Sequence, residues 1–289
     1  MTEWPTAEHL SRPAAGAESA VDAGKLQIVG IGPGLPEHLT QAARRAIQTA
    51  DAIYAAPLYQ EFLAQESLLS SDDLAGDGPT VIESTRTDAK AQARATFDRV
   101  LAGERVVHVS GGDPTVYGKS DLLVALAETE SQDEIPIEVI PGVTAALGGA
   151  ATLGAPLSND FCTVSLSTNR RDQDEIDRKL EAAAEAGFVI ALYNCWRSLN
   201  GALETISKHR SDSVPVALLE DVARGEQGRS DAGETVAIAP LVEADSVLHP
   251  ETPGSLAIVG TEDSRVLRPT TGGQPFLVTP RGDETPLDF

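Results

Sequence analysis

The chain has 289 residues, with 44 acidic against 22 basic side chains and a net charge of −22. That imbalance excludes non-specific binders of nucleic acid or of anionic membranes, whose phosphates it would repel, and no uninterrupted apolar run reaches membrane-spanning length. The acids are dispersed and only Lys25, Lys90, Lys119, Lys179 and Lys208 are lysines, a pattern that reads as adaptation to a high-salt cytoplasm, where a Debye length of about 3 Å at 1 M screens self-repulsion.

Residues 1–24 lack the apolar core of a signal peptide and read as a flexible tail, which leaves the cytoplasm as the expected location. A first strand over 26–31 runs into Gly30-Ile31-Gly32-Pro33-Gly34. Thr40 is placed to cap a helix over 41–50, with Ala43, Ala46, Ile47 and Ala50 on one face. A strand at 52–55 follows, then a helix-like stretch opened by Pro57 that holds Tyr59, Phe62 and Leu63. A polar loop with Asp72, Asp73 and Gly76 leads to a strand at 81–83, and an amphipathic helix over 89–101 stops at Gly103.

Val106-Val107-His108-Val109 then runs into Ser110-Gly111-Gly112-Asp113-Pro114 and on to Tyr117-Gly118. Such a run reads as a buried parallel strand ending in a tight loop. In open α/β sheets the crevice outside these carboxyl ends is where ligands sit. The two glycines let a ligand approach the backbone, and Asp113 adds one negative charge.

Neither glycine loop is a phosphate site. From Gly112 to Gly118-Lys119-Ser120 is one residue too long for G-x-x-x-x-G-K-[ST], and Asp113 would repel phosphate. The loop at Gly30 lacks the third spaced glycine of G-x-G-x-x-G, and Pro33 removes an amide. Both loops suit a ligand without phosphates.

A helix over 119–129 and a strand at 137–140 complete this half, and Pro141-Gly142 marks a boundary. Thr144 is placed to cap a helix of small residues, Ala145-Ala146-Leu147-Gly148-Gly149-Ala150-Ala151. Each glycine costs it about 1 kcal/mol against alanine, so close packing or ligand approach must offset them. Strands at 161–167, 188–193, 214–219, 234–238 and 255–259 and helices at 173–186 and 199–209 follow. The end, from 266 onward, reads as a tail. Cys162 and Cys195 are too few for a disulfide framework, zinc site or iron–sulfur cluster, and the five histidines lack metal spacing, so no protein-bound metal is expected. His108 reads as a satisfied core side chain.

Four segments in this order resemble the tetrapyrrole (corrin and porphyrin precursor) methyltransferases. They are Gly30-Ile31-Gly32-Pro33-Gly34 with Leu39-Thr40; Ser110-Gly111-Gly112-Asp113-Pro114 with Tyr117-Gly118; Pro141-Gly142-Val143-Thr144-Ala145-Ala146 with Leu153-Gly154-Ala155-Pro156-Leu157; and Pro215-Val216-Ala217-Leu218. Within that family the chain is similar to the precorrin-3B / cobalt-factor III carbon-17 methyltransferases, through Asp113-Pro114 to Gly118, Asn159-Asp160-Phe161 with Ser165-Leu166-Ser167, Leu192-Tyr193-Asn194, His209-Arg210 and Val278-Thr279-Pro280-Arg281-Gly282.

The resemblance implies two α/β domains, here 25–140 and 141–265, with S-adenosylmethionine in the cleft between them, in a homodimer. It implies cofactor contacts from Pro33, Gly111, Gly112, Asp113, Val116, Thr144 and Ala145, flanked by Asn194 and Val222. It also implies methyl transfer to a tetrapyrrole carbon with ring contraction, for which Tyr59, Ser110, Tyr117 and Asp160 are candidate acid–base groups. Arg86, Lys119, Arg170 and Arg281 are candidate cations for the substrate carboxylates. Other readings are a methylase of another ring position, diphthine synthase, or a non-catalytic paralogue that binds cofactor or corrinoid.

Overall fold

The structure is a computed structural model that describes residues 24–66, 68–69, 78–85, 88–129, 135–222, 224, 233–270 and 272–282. In the first half β1 (Lys25–Gly30), α1 (Gln41–Gln48), β2 (Ala52–Ala55), α2 (Pro57–Gln65), β3 (Thr80–Glu83), α3 (Ala89–Leu101), β4 (Arg105–Ser110), α4 (Ser120–Thr129) and β5 (Ile137–Ile140) alternate. Their strands form one parallel sheet in the order β3-β2-β4-β1-β5. Period-two alternation sends successive side chains to opposite faces, and helices cover both, so the central strands are buried on both sides. Val29, Ile53, Val107 and Val109 face Ala43, Ile47, Phe62 and Leu63 of α1 and α2. Leu26, Ile28, Tyr54 and Val106 face Phe97, Val100, Leu123 and Leu126 of α3 and α4. The chain leaves β1 toward one edge of the sheet and leaves β4 toward the other, which makes the adjacent carboxyl ends of β1 and β4 the switch point of the sheet.

The second half comprises α5 (Ala145–Leu153), β6 (Gly154–Ala155), β7 (Phe161–Ser165), α6 (Gln173–Glu185), β8 (Val189–Tyr193), α7 (Leu199–Ser207), β9 (Pro215–Glu220), β10 (Thr235–Pro240), α8 (Leu241–Val247), β11 (Leu256–Val259), β12 (Arg265–Leu267) and β13 (Phe276–Val278). Its main sheet is mixed, in the order β10-β9-β11-β8-β7, with β11 antiparallel between β8 and β9. One face packs on α6, α7 and α8 through Ile176, Leu180, Leu203, Ile206 and Leu241. The other is covered by α5 through Ala146 and Leu153, joined by Leu35 from the loop after β1. A Cβ on Gly149 would lie 2.9 Å from a methyl of Leu256 and 3.2 Å from one of Leu219, so this glycine lets the slim helix settle on the sheet.

Of the expected N-terminal tail only the last residue is described, and the expected C-terminal tail needs correction. Gly24 is buried, and a Cβ there would strike the Val100 carbonyl; the rest of that expected tail, residues 1–23, lies outside the described residues, as do Asp72, Asp73 and Gly76. The expected tail from 266 contains most of β12 and all of β13, which forms a small sheet with β12 and β6 and buries Leu277 completely. Cys195 is buried and opens a short 3-10 turn directly after β8.

Candidate active site

The two glycine loops are sewn to each other. Gly112 donates its amide to the Gly32 carbonyl at 2.7 Å and accepts from the Gly32 amide at 3.2 Å, while Ile31 donates to the Ser110 carbonyl at 3.0 Å. Gly32 (φ 75°) and Gly112 (φ 68°) are both left-handed, the conformation that glycine adopts at least cost. The loop after β5 closes against this pair, since a Cβ on Gly142 would collide with the Gly112 carbonyl. A Cβ on Gly111 would meet the Tyr59 hydroxyl, so the phenol of α2 lies on the Gly111 backbone. A Cβ on Gly112 would meet nothing nearer than 3.7 Å, at Thr144 Cα, which leaves a small cradle between this loop and the start of α5.

Asp113 is built into this junction. One of its carboxylate oxygens accepts from the Gly142 amide at 3.0 Å and the other from the Thr115 amide at 2.8 Å and the Thr115 hydroxyl. It fixes the loops after β4 and β5 relative to each other. Val116 continues the same turn, its amide donating to the Asp113 carbonyl at 3.3 Å.

Tyr193, at the end of β8, ties the second half to this junction. Its phenol oxygen accepts the Ala146 amide at 2.8 Å and lies 2.5 Å from the Thr144 hydroxyl. Thr144 does stand at the cap position of α5, but its side chain makes no capping bond to the helix backbone; Tyr193 takes that part, and the Thr144 hydroxyl turns to the phenol. Burial raises the Tyr193 pKa above the ordinary phenol value, against the hydrogen bonds from Thr144 and Ala146, which lower it. Beside it Asn194 (φ 56°) donates from Nδ2 to Ser165 Oγ at 2.9 Å, linking β8 to β7. From the opposite side Tyr117 (φ 55°) donates its hydroxyl to the Thr163 carbonyl at 2.9 Å and sets its ring 5.1 Å from that of Tyr193. Left-handed φ on two non-glycine residues whose neighbours meet here, Tyr117 after β4 and Asn194 after β8, stores strain at the junction.

The remaining expected site residues divide. Ser110 is buried at the end of β4, Pro33 is buried in the loop after β1, Ala145 begins α5, and Val222 is buried just beyond β9. Lys119 Nζ lies 2.5 Å from Ser84 Oγ, just past the end of β3, and Arg170 pairs with Asp121 of α4 at 2.8 Å; both stand on the same rim. Asp160 and Arg281 do not join it. Asp160 precedes β7, whose other end carries Ser165 level with Tyr193, so the length of the strand separates Asp160 from the junction. Arg281 follows Pro280, whose carbonyl accepts from Asn159 at that far end. Arg86 lies outside the described residues. Tyr193 was visible only as part of a Leu-Tyr-Asn motif, because a phenol that accepts a helix amide from another element leaves no local pattern.

The family model of the tetrapyrrole (corrin/porphyrin) methylases matches residues 25–231. The chain belongs to that family. A precorrin-3B C(17)-methyltransferase of Sinorhizobium sp is 38% identical over 272 residues, covering 89% of this chain and 96% of that protein. A cobalt-factor III methyltransferase of Priestia megaterium is 37% identical over 212 residues, 71% of this chain, but the chain spans only 38% of that protein's length. A crystal structure of the methyltransferase CobJ shares the fold at a TM-score of 0.75 and 24% identity, covering 89% of this chain and 100% of that one.

Proposed function

We propose that the chain is an S-adenosylmethionine-dependent methyltransferase of cobalamin biosynthesis that methylates carbon 17 of cobalt-factor III or precorrin-3B with ring contraction. The observation that carries this reading is the sewn pair of glycine loops facing the start of α5, in a chain 38% identical to a precorrin-3B C(17)-methyltransferase over nearly that protein's whole length. The reading includes two domains, 25–140 and 141–265, a homodimer, and a high-salt cytoplasm consistent with the net charge of −22.

The junction fits the cofactor by its donor set. It offers backbone amides, carbonyls and hydroxyls, its one carboxylate is already bonded to amides, and no lysine or arginine lies in either glycine loop. Such a lining suits a phosphate-free ligand. When bound, the cofactor supplies a methyl group already activated on a cationic sulfur. The chain adds placement and dryness. Gly111 and Gly112, with Pro33, Val116, Thr144 and Ala145, would hold the ligand in the cradle, with Asn194 and Val222 flanking it and Asp113 keeping the loops in register. Tyr59, whose hydroxyl lies on Gly111, and Ser110 are the groups placed to move a proton for ring contraction. The Tyr117 hydroxyl is engaged with Thr163, and Asp160 stands at the other end of β7 from this junction.

Calorimetric titration of S-adenosylhomocysteine in molar potassium chloride tests the cofactor site. Wild type is expected to bind, and a folded Gly112→Val protein, with the cradle filled, is not. Equal binding by both would remove the ligand from this junction.

A further inference from the structure

The loop after β7 carries two adjacent arginines in different settings. Arg170 is committed to Asp121. Arg171 has no carboxylate partner within 4.0 Å among the described residues, and Glu175, which feels its charge, is joined to Lys179. The half-buried Arg171 instead places its guanidinium carbon 5.9 Å from the centre of the Tyr117 ring, within the range of a cation–π contact. Tyr117 is a firm seat. Its backbone is left-handed, its hydroxyl is bonded to Thr163, its ring lies against Tyr193, and yet 43% of it stays exposed. A long cationic side chain is thereby held at the rim of the junction with its donor fork unpaired by any acid among the described residues.

We propose that Arg171, seated on Tyr117, anchors a carboxylate of the substrate, and that Tyr117 is its positioning residue. The proposal rests on the substrate being a polycarboxylate tetrapyrrole and adds to that reading the residue that grips its periphery. A guanidinium matches a carboxylate in bidentate geometry. On a chain this acidic, a polyanion meets repulsion elsewhere, so a cation held over the site governs both capture and orientation.

The test is titration of uroporphyrin III, followed by its fluorescence, into protein saturated with S-adenosylhomocysteine at two potassium chloride concentrations. Arg171→Ala is expected to bind about ten-fold more weakly, as for one lost charge-assisted contact, and with a shallower salt dependence. Arg171→Lys should recover part of the loss. Tyr117→Leu should weaken binding in the same direction, and Tyr117→Phe, which keeps the ring, should restore most of it. All variants should bind S-adenosylhomocysteine like wild type. Wild-type porphyrin affinity and salt dependence in Arg171→Ala would overturn the anchor while leaving the methyltransferase reading intact. Loss of S-adenosylhomocysteine binding in that variant would also overturn it, by showing a structural part instead. A wild type that binds S-adenosylhomocysteine but no porphyrin would overturn the substrate reading and the anchor together.

Discussion

The phenol oxygen of Tyr193 accepts the amide proton of Ala146, 47 residues earlier, at 2.8 Å, so a side chain at the end of one strand caps the helix that begins at Ala145. The same oxygen meets the Thr144 hydroxyl, and one atom therefore fixes the start of α5 against the second sheet. Tyr193→Phe keeps the ring and removes only this atom. A loss of about 1 kcal/mol in stability is expected, typical of a lost cap or hydrogen bond. If the cradle depends on that placement, affinity for S-adenosylhomocysteine should fall roughly five-fold, the equivalent of about 1 kcal/mol. Unchanged urea midpoint and affinity would show the bond to be dispensable.

Glycines at different places in the fold should respond oppositely to alanine. At Gly142 the added methyl would strike the Gly112 carbonyl and lie 3.0 Å from Gly30 Cα, all of it backbone that cannot step aside. Gly142→Ala should cost about 2 kcal/mol or more. Gly201, in α7, has nothing within 4 Å of its Cβ position, and Gly201→Ala should stabilise by about 0.5–1 kcal/mol. Urea unfolding of both variants decides this, and a tolerated Gly142→Ala would contradict the tight closure of the loops.

His108 sets an acid limit on the first sheet. Its Nε2 lies 2.7 Å from the Thr96 hydroxyl and its ring stacks on Tyr54 at 4.4 Å. Burial pushes its pKa down to about 3 from 6.5, aided by the charge of Lys119. The folded ring stays neutral where the unfolded one gains a proton, so its contribution is whole above about pH 6.5 and fades as the pH falls toward 3. By about pH 5 the loss should reach roughly 2 kcal/mol. Wild type should therefore lose more stability than His108→Phe between about pH 7.5 and about pH 5; identical slopes would mean that the ring is charged in the fold.

Strand and loop positions were readable because local chemistry sets them. Val106 to Val109 are buried on both faces since helices cover both sides of a parallel sheet, and the glycine loops that follow β1 and β4 stand where the strand order reverses. What sequence hid depends on distant partners. β6, β12 and β13 are two or three residues long; β13 pairs with its near neighbour β12 on one side and, across more than a hundred residues, with β6 on the other. Asp113 was read as a charge offered to a ligand, but the chain itself uses that carboxylate, through Gly142 and Thr115. Asp160 lay near the right motif at the wrong end of its strand, a distinction that only the register of β7 against β8 reveals. Arg171 escaped notice because its seat, Tyr117, belongs to the other half of the chain.

Methyl transfer itself is the most direct test. Protein in molar potassium chloride would be incubated without oxygen with methyl-labelled S-adenosylmethionine and either cobalt-factor III or precorrin-3B, and the label followed by mass spectrometry and carbon NMR. Label on carbon 17 of one of these substrates, with S-adenosylhomocysteine formed in equal amount, is the expected result. Folded protein that binds both cofactor and tetrapyrrole yet leaves the label on the cofactor, or puts it on another ring carbon, would contradict the proposed activity.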